Sequence, residues 1–246
     1  MTYRVRMNRI LFESPECRNG WVTLRDHRAD HLRRVLRARP GDVFRVGVVN
    51  GAAGEGEVTG MREDGITLKV MLKEPPVRPP LDLLLALPRP KVLRRLLPQI
   101  AALGVDRLFL TNAMRVERHY FDTHVLTPEP LRQLLVEGLT QSGGTWLPQV
   151  QVARRLKVFV EDELENASDA EERILLHPGA DTRWADLPPP GERTFLAIGP
   201  EGGWVDFERA LFAGRGFQSA RLTAGVLRSD TACIVALGAA VMRLNS

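Results

Sequence analysis

The fold prediction starts from residues 194–244, TFLAIGPEGGWVDFERALFAGRGFQSARLTAGVLRSDTACIVALGAAVMRL. They begin with a short apolar run at 195–198, which is typical of a buried strand. The following GPEGG motif at 199–203 has three glycines and one proline, which predict a tight turn of bare backbone. A helix is then expected from Asp206, as its N-cap, to about residue 213.

The strand-loop-helix pattern occurs a second time, with a strand near 220–223, a loop at 224–229 and a helix from about 230 to 244. In an open α/β sheet, ligands bind in the loops at the carboxyl ends of the strands. The GPEGG loop has neither the Lys-Ser/Thr of a Walker loop nor the GxGxxG spacing. An adenosine-like ligand held by the main chain therefore fits better than a nucleotide phosphate, and a nucleotide-dependent oxidoreductase is disfavoured.

The composition is that of an ordinary soluble globular protein, with 246 residues, 44% of them hydrophobic and 26% charged. No apolar run approaches the ~20 residues of a membrane span, and the first ten residues lack the apolar core of a secretory signal. Two cysteines that lie far apart indicate a reducing compartment rather than a disulfide framework. These features predict a cytoplasmic protein.

Positive charge is concentrated near the N-terminus. The net charge is +4, yet residues 1–45 contain eleven arginines and five acidic residues. This asymmetry indicates a nucleic-acid-binding end. The alternative is a solvated surface in a chain that prefers arginine to lysine throughout.

The sequence predicts two domains, 1–74 and 80–246, joined by the proline-rich segment KEPPVRPP at 73–80. From residue 81 onward, apolar runs alternate with helical patterns, which predicts an α/β domain with a mostly parallel sheet. The first domain reads as a compact β-barrel with one helix. Its expected strands are 21–24, 42–49, 56–61 and 66–72, and its expected helix is 29–38.

Two motifs near the C-terminus resemble the paired signature of a known family. IGPEGG at 198–203, followed by LRSDTA at 227–232, looks like the RsmE family of 16S rRNA (uracil-N3)-methyltransferases, which belong to the SPOUT class. HLRRVLR at 31–37 is similar to the RNA-binding segment of that family. LHP at 176–178 is similar to the part that lines its cofactor site.

The resemblance implies a SPOUT-type α/β domain with a trefoil knot, preceded by a PUA-like barrel, in a homodimer. It implies S-adenosyl-L-methionine as cofactor and 16S rRNA or the 30S subunit as substrate. The expected reaction is methyl transfer to N3 of a uridine. The chain departs from the family at four positions: Ala102, Gly144, Gly225 and Asp230.

The resemblance also assigns residues to the site. Arg228 would stabilise negative charge on a uracil carbonyl oxygen, and Glu201 or Asp230 would accept the N3 proton. Structural alternatives remain open, because Glu201 can bond N–H groups of its loop and Asp230 can favour the start of the last helix. The expected cofactor-binding residues are Leu176, His177, Pro178, Ile198, Gly199, Pro200, Glu201, Gly202, Gly203, Leu222, Val226, Leu227 and Thr231.

The expected RNA-binding residues are Arg6, Arg9, His31, Arg33, Arg34, Arg37, Lys91 and Arg115. From the sequence alone, a solvated Lys91 and a salt-bridged Arg115 are equally good interpretations. No metal is expected, since the His27 and His31 pair lacks further ligands nearby. The alternatives to the rRNA enzyme are a non-catalytic RNA-binding protein on a SPOUT scaffold and a SPOUT methyltransferase that acts on another RNA site.

Overall fold

The computed structural model describes residues 8–246, which divide into two compact units. The first unit contains the chain up to residue 78 together with 136–147, and the second contains 79–135 and 148–246. Both family resemblances at the C-terminus fall in the second unit. Among the described residues, no helix is long and apolar enough to span a membrane.

The first unit is built on a five-stranded sheet with the order β1-β3-β4-β5-β2. β1 and β3 are parallel and the other neighbours are antiparallel. Asn50, at φ +55°, lies in the turn between β3 and β4. The strands are β1 Ile10–Phe12, β2 Trp21–Leu24, β3 Val43–Val48, β4 Ala53–Arg62 and β5 Gly65–Glu74.

The predicted helix at 29–38 begins earlier and ends earlier than expected. Helix α1, His27–Asp30, continues as a π-helical segment, His31–Val35. The Asp26 carboxylate accepts a hydrogen bond from Arg28 N at 3.0 Å and so caps the start. Arg37 adopts φ +49°, a left-handed conformation that cannot continue a helix.

The second unit is built on a six-stranded, all-parallel sheet, as the alternation of strands and helices predicts. Its order is β11-β9-β10-β6-β7-β8, so the chain crosses from β8 to the other side of β10 and β6. The strands are β6 Leu81–Ala86, β7 Arg107–Thr111, β8 Gln149–Ala153, β9 Glu172–Leu176, β10 Thr194–Ile198 and β11 Gln218–Ala220. β6 and β10 are completely buried, in agreement with their near-continuous apolar sequence, which only Asp82 interrupts within β6.

Helices follow most of these strands. They are α2 Pro90–Ala102, α3 Pro128–Ser142, of which residues 136–142 belong to the first unit, α4 Leu156–Val158, α5 Leu164–Ala167, α6 Asp206–Ala213 and α7 Ser229–Leu244, with a π-helical segment, Phe159–Glu163, joining α4 to α5. Helix α2 contains Pro98 in its interior and continues to Ala102. The N-cap of α6 is Val205 and not Asp206, because the Glu208 side chain accepts from the N–H of Val205.

Aromatic rings connect the central strand β10 to the start of α6. Phe195 meets Phe217 edge-on at 5.5 Å between ring centroids, and Phe217 meets Phe212 at 4.9 Å. Phe212 then contacts Trp204 at 5.0 Å. Such pairs add about 0.5–1.5 kcal/mol each beyond the area that they bury. The loop that follows β10 is thus anchored to the core at Trp204.

Candidate functional site

The loops that follow β9, β10 and β11 meet at the carboxyl edge of the second unit's sheet. These three neighbouring strands end at Leu176, Ile198 and Ala220. The loops enclose a cavity of about 290 Å³. All of the expected cofactor-binding residues except Thr231 line it. The structure thus brings these residues together, and their role in binding stays a prediction.

The GPEGG loop is a tight turn whose backbone faces the cavity. Gly203 N donates to Pro200 O at 2.8 Å, and Gly203 has φ +73°, which favours glycine. A Cβ on Gly199 would lie 3.1 Å from Trp204 Nε1, so a larger residue would crowd the indole. The predicted turn of bare backbone is therefore present, and its shape depends on the missing side chains.

A fourth segment, which we call the β7 loop (residues 112–116), holds the GPEGG loop in place. Met114 N donates to Glu208 Oε1 at 2.7 Å, and Val205 N donates to Glu208 Oε2 at 3.0 Å. The Arg115 guanidinium donates to the carbonyl oxygen of Gly202. One buried carboxylate and one guanidinium thus join the β7 loop to the turn and to the start of α6.

Sequence reasoning missed Glu208 and Trp204. The signal for Glu208 was present, since a glutamate at the third position of a helix is typical of a capping box. Because the sequence prediction placed the N-cap at Asp206, Glu208 was counted as the second helical residue and its capping role was not recognised. Trp204 carried no local signal, because its contacts with Phe212 and Gly199 come from tertiary packing.

His177 begins the loop after β9, and its backbone N–H donates to Ala220 O at 3.0 Å. Burial lowers the pKa of its imidazole below the ordinary value, and the nearby Arg209 guanidinium lowers it further, while Asp206 opposes the shift. Its Nδ1 has no hydrogen-bond partner among residues 8–246. Burial and Arg209 therefore both favour the neutral form of the ring.

The loop after β11 is far more exposed than the GPEGG loop. Val226 is 80% exposed although it lines the cavity. Within this loop, Thr223 Oγ1 donates to Gly225 O at 2.6 Å. The cavity therefore has one side fixed by core packing and another side open to solvent.

The three predicted catalytic candidates lie at this edge of the sheet in different surroundings. Arg228 is the exposed N-cap residue of α7, between Leu227 and Ser229, which line the cavity. Within the described chain, neither its guanidinium nor the Glu201 carboxylate has a hydrogen bond or an ion pair. Asp230, in contrast, forms an ion pair, in which its Oδ2 lies 3.3 Å from Arg95 Nη2.

The expected RNA contacts of the first unit differ in accessibility. His31, Arg34 and Arg37 are exposed. Arg33 is half-buried and donates to Arg62 O at 2.7 Å. Arg6 lies outside the described residues.

Arg9 is only 3% exposed, which argues against the RNA contact expected for it. Its Nε donates to Gly143 O and its Nη1 to Val46 O, both at 2.8 Å, and its Nη2 lies 3.3 Å from Glu74 Oε2. The guanidinium therefore binds partners within the protein, and its burial keeps it out of reach of an RNA phosphate.

In the second unit, Lys91 is exposed in the first turn of α2. Arg115 is also exposed, although one of its donors is taken by Gly202 O. No group of three or more His, Cys, Asp or Glu side chains within 8–246 could hold a metal ion.

Known proteins resemble both parts of the chain. An RNA methyltransferase domain model matches residues 73–241, and an RNA methyltransferase PUA domain model matches residues 24–71. The ribosomal RNA small subunit methyltransferase E of Treponema pallidum is 32% identical over 237 residues, covering 94% of this chain and 89% of the relative. The methyltransferase E 1 of Borreliella burgdorferi is 25% identical, with 94% and 95% coverage.

The fold also matches a solved structure. A ribosomal RNA small subunit methyltransferase E from Neisseria gonorrhoeae, bound to S-adenosyl methionine, superposes with a TM-score of 0.77 at 20% identity, covering 95% of this chain and 96% of that one. The α/β fold with an N-terminal PUA domain is thereby confirmed, whereas the knot is implied by the family. The chain belongs to the RNA methyltransferase family of ribosomal RNA small subunit methyltransferase E, the RsmE family.

Proposed function

We propose that the protein transfers a methyl group from S-adenosylmethionine to N3 of a uridine in 16S rRNA. One observation carries the proposal: three loops of an RsmE-family chain meet at the carboxyl ends of adjacent parallel strands and enclose one cavity. In open α/β sheets, this edge is where nucleotide-like ligands bind. The relatives named methyltransferase E support the same reaction.

The residues of the cavity fit this cofactor. Glycines at 199, 202 and 203 leave main-chain groups accessible to an adenosine moiety. Leu176, Ile198 and Leu227 supply apolar surface beside them. A polar ligand of this kind suits a site with apolar sides and a few main-chain donors and acceptors. When bound, S-adenosylmethionine supplies a methyl carbon that is already electrophilic because it is attached to a sulfonium.

The remaining chemistry falls to the chain's own side chains. N3 of uracil carries a proton that must leave for N3 to attack the methyl carbon, and negative charge develops on the neighbouring carbonyl oxygens as that proton leaves. An arginine aimed at such an oxygen stabilises that charge. We assign this role to Arg228, whose guanidinium has no internal partner within residues 8–246. Glu201, which is exposed in the turn, is the better candidate for proton acceptor, since Arg95 holds Asp230.

Two basic surfaces would bind the RNA. In the first unit, His31, Arg34 and Arg37 are exposed on the segment similar to the family's RNA-binding region. In the second unit, the first two turns of α2 expose Arg89, Lys91 and Arg94 and contain no acidic residue. Contacts of this kind position the RNA through its phosphates and make binding depend on salt.

Replacing Arg33, Arg34 and Arg37 with Gln should weaken RNA binding at low salt. Each lost phosphate contact should reduce the slope of log K against log salt by about 0.7–0.9. Filter binding of a 16S rRNA fragment between about 50 and 200 mM salt measures this slope. The matched control is Arg62→Gln, which removes another cation of the same unit. Arg62 contacts Arg33 only through its backbone oxygen, so the substitution leaves that hydrogen bond in place. An unchanged slope in the triple variant would show that these arginines are solvated surface.

We also propose a homodimer that works in the cytoplasm on the small ribosomal subunit. Val235 and Met242 on α7 are exposed apolar side chains, at 43% and 74%, and Val226 is exposed beside the cavity. A second copy of the chain would remove this surface from water. Light scattering after gel filtration should give about twice the chain mass of 27.5 kDa. A mass that stays at that of one chain at micromolar concentration would contradict the dimer.

Two measurements test the function. Calorimetry should show that the protein binds S-adenosylmethionine, and mass mapping should show one new methyl group at N3 of a uridine in unmodified 30S subunits. No cofactor binding would remove the enzymatic proposal altogether. Cofactor binding with no methylation of 30S subunits or 16S rRNA would favour another RNA site, and RNA binding without cofactor binding would favour a non-catalytic RNA-binding protein.

A further inference from the structure

We infer that Arg115 and Glu208 are positioning residues for the cofactor site, through which the β7 loop fixes the conformation of the GPEGG turn. The inference rests on the proposed function, because it concerns how that site binds its cofactor. It gives Arg115 a role that an RNA-phosphate contact does not explain, and it adds Glu208 to the residues on which activity depends.

Glu208 is a buried carboxylate that binds two different segments. It is 4% exposed, and its two oxygens accept the N–H groups of Met114 and Val205 at 2.7 and 3.0 Å. No cation pairs with it within residues 8–246. A buried carboxylate is costly without compensating hydrogen bonds, so this side chain stabilises only an arrangement in which both segments are in place. The start of α6 also favours its negative charge.

Arg115 holds the turn at its most adaptable point. Its guanidinium donates to Gly202 O, which fixes the orientation of the peptide between Gly202 and Gly203. A Cβ on Gly202 would lie 2.8 Å from Arg115 Cδ, so the arginine stem lies directly against the glycine. Glycine-rich turns populate several backbone conformations when nothing holds them. The arginine thus selects one orientation before the ligand arrives.

This restraint should appear as cofactor affinity. A loop that is already in its binding conformation loses less conformational freedom when the ligand binds, and its affinity is higher for that reason. A phosphate contact made by Arg115 would behave differently, because it would change RNA affinity and leave cofactor binding in the absence of RNA unchanged. The two roles can therefore be separated by titrating S-adenosylmethionine alone.

The test uses calorimetry of the full-length protein with S-adenosylmethionine and no RNA. Arg115→Ala and Glu208→Gln should each raise Kd about tenfold, which corresponds to about 1.4 kcal/mol. In Glu208→Gln, one of the two carboxylate oxygens becomes an NH2 donor, which would face the N–H of Met114 or Val205 and could not accept from it. In the double variant, the loss of binding free energy for S-adenosylmethionine should be smaller than the sum of the losses in the two single variants, since both side chains restrain the same turn. The matched control is Arg118→Ala, an exposed arginine three residues away with no side-chain hydrogen bond within 8–246, which should leave Kd unchanged.

Kinetics provide the second measurement. KM for the cofactor should rise in both single variants, while kcat at saturating cofactor stays within about twofold, because uniform binding is lost and the reacting groups are untouched. Arg115→Lys, which keeps the charge but not the planar donor geometry, should give an intermediate Kd. Thermal unfolding of the free protein checks that Arg115→Ala is folded.

The outcomes separate this inference from the proposed function. A wild-type protein that does not bind S-adenosylmethionine would contradict the function itself. A wild-type protein that binds, with Arg115→Ala and Arg115→Lys both at the wild-type Kd, would overturn the positioning role and leave the function in place. If Arg115→Ala lowers only RNA affinity and its salt slope, Arg115 is a phosphate contact instead.

Discussion

The charged side chains at the two edges of the six-stranded sheet differ in burial and in pairing. At the amino edge, Asp82 and Asp106 are fully buried, and Arg193 Nη1 lies 3.0 Å from the first and 2.9 Å from the second. Arg107, Ser168 and the exposed Asp169 also belong to this network, with Ser168 Oγ 2.6 Å from Asp82. At the carboxyl edge, Arg228 and Glu201 are exposed and make no side-chain ion pair within the described residues.

The difference indicates which charges serve stability and which are available to a ligand. Burial raises the pKa of Asp82 above its ordinary value even though Ser168 and both arginines favour its carboxylate, so the network is costly to keep ionised. Such a group tolerates little change. The charges of the carboxyl edge, in contrast, can be removed with little effect on the fold. The two edges should therefore separate activity from stability on mutation.

Arg228→Ala should have the largest effect, and only on turnover. Loss of one donor aimed at developing negative charge costs about 10²–10³ in kcat. The melting temperature and the Kd for S-adenosylmethionine should stay close to wild type, because the arginine is exposed and its side chain has no partner within 8–246. Methylation of 30S subunits under single-turnover conditions measures the loss. Near-normal turnover would show that another group stabilises the charge.

Arg193→Ala should have the next largest effect, and on stability. Two buried carboxylates would lose a shared partner, which costs on the order of 3 kcal/mol in the free energy of unfolding. Urea unfolding measures this loss. The matched control is Arg183→Ala, whose partner Asp186 lies on the surface, and whose unfolding midpoint should not change. A stable Arg193→Ala protein would mean that the remaining partners, Arg107 and Ser168 among them, satisfy the carboxylates without Arg193.

The smallest effect should be a pH dependence that arises from His177. Its pKa is lowered in the folded protein by burial and then by Arg209, so the unfolded chain binds a proton first as the pH falls. Stability should therefore decrease as the pH falls below about 6.5, down to the folded pKa, and stay level below it. NMR titration of the imidazole measures the folded pKa directly. In His177→Gln, which cannot titrate, this part of the pH dependence should vanish.

Much of the fold was predictable from the sequence because its central strands are near-continuous apolar runs. Those of β6 and β10 predicted a parallel sheet, and the turn between β10 and α6 was visible in three glycines and a proline. The strand order was not predictable, since nothing local records that the chain crosses from β8 to β9 on the far side of β10. The limits 1–74 and 80–246 for the two domains stay a prediction.

The site was predictable where it consists of bare backbone and missed where it depends on tertiary contacts. GPEGG and LHP are recognisable as short motifs, and the structure brings both to one cavity. Glu208 acts through the backbone of Met114, which lies 94 residues earlier in the chain. Arg9 showed the opposite error, because charge composition predicted an RNA contact for a side chain that the fold buries. The departures at Ala102 and Gly144 gain no structural explanation.

The most direct test of the proposed site is amide hydrogen exchange of the full-length protein with and without S-adenosylmethionine. We expect slower exchange in peptides that cover the GPEGG loop and residues 222–228, together with the start of the loop after β9, and unchanged exchange along the amino edge of the sheet. Protection that appears only elsewhere in the chain, or no protection at saturating cofactor, would contradict a cofactor site at the carboxyl ends of these strands.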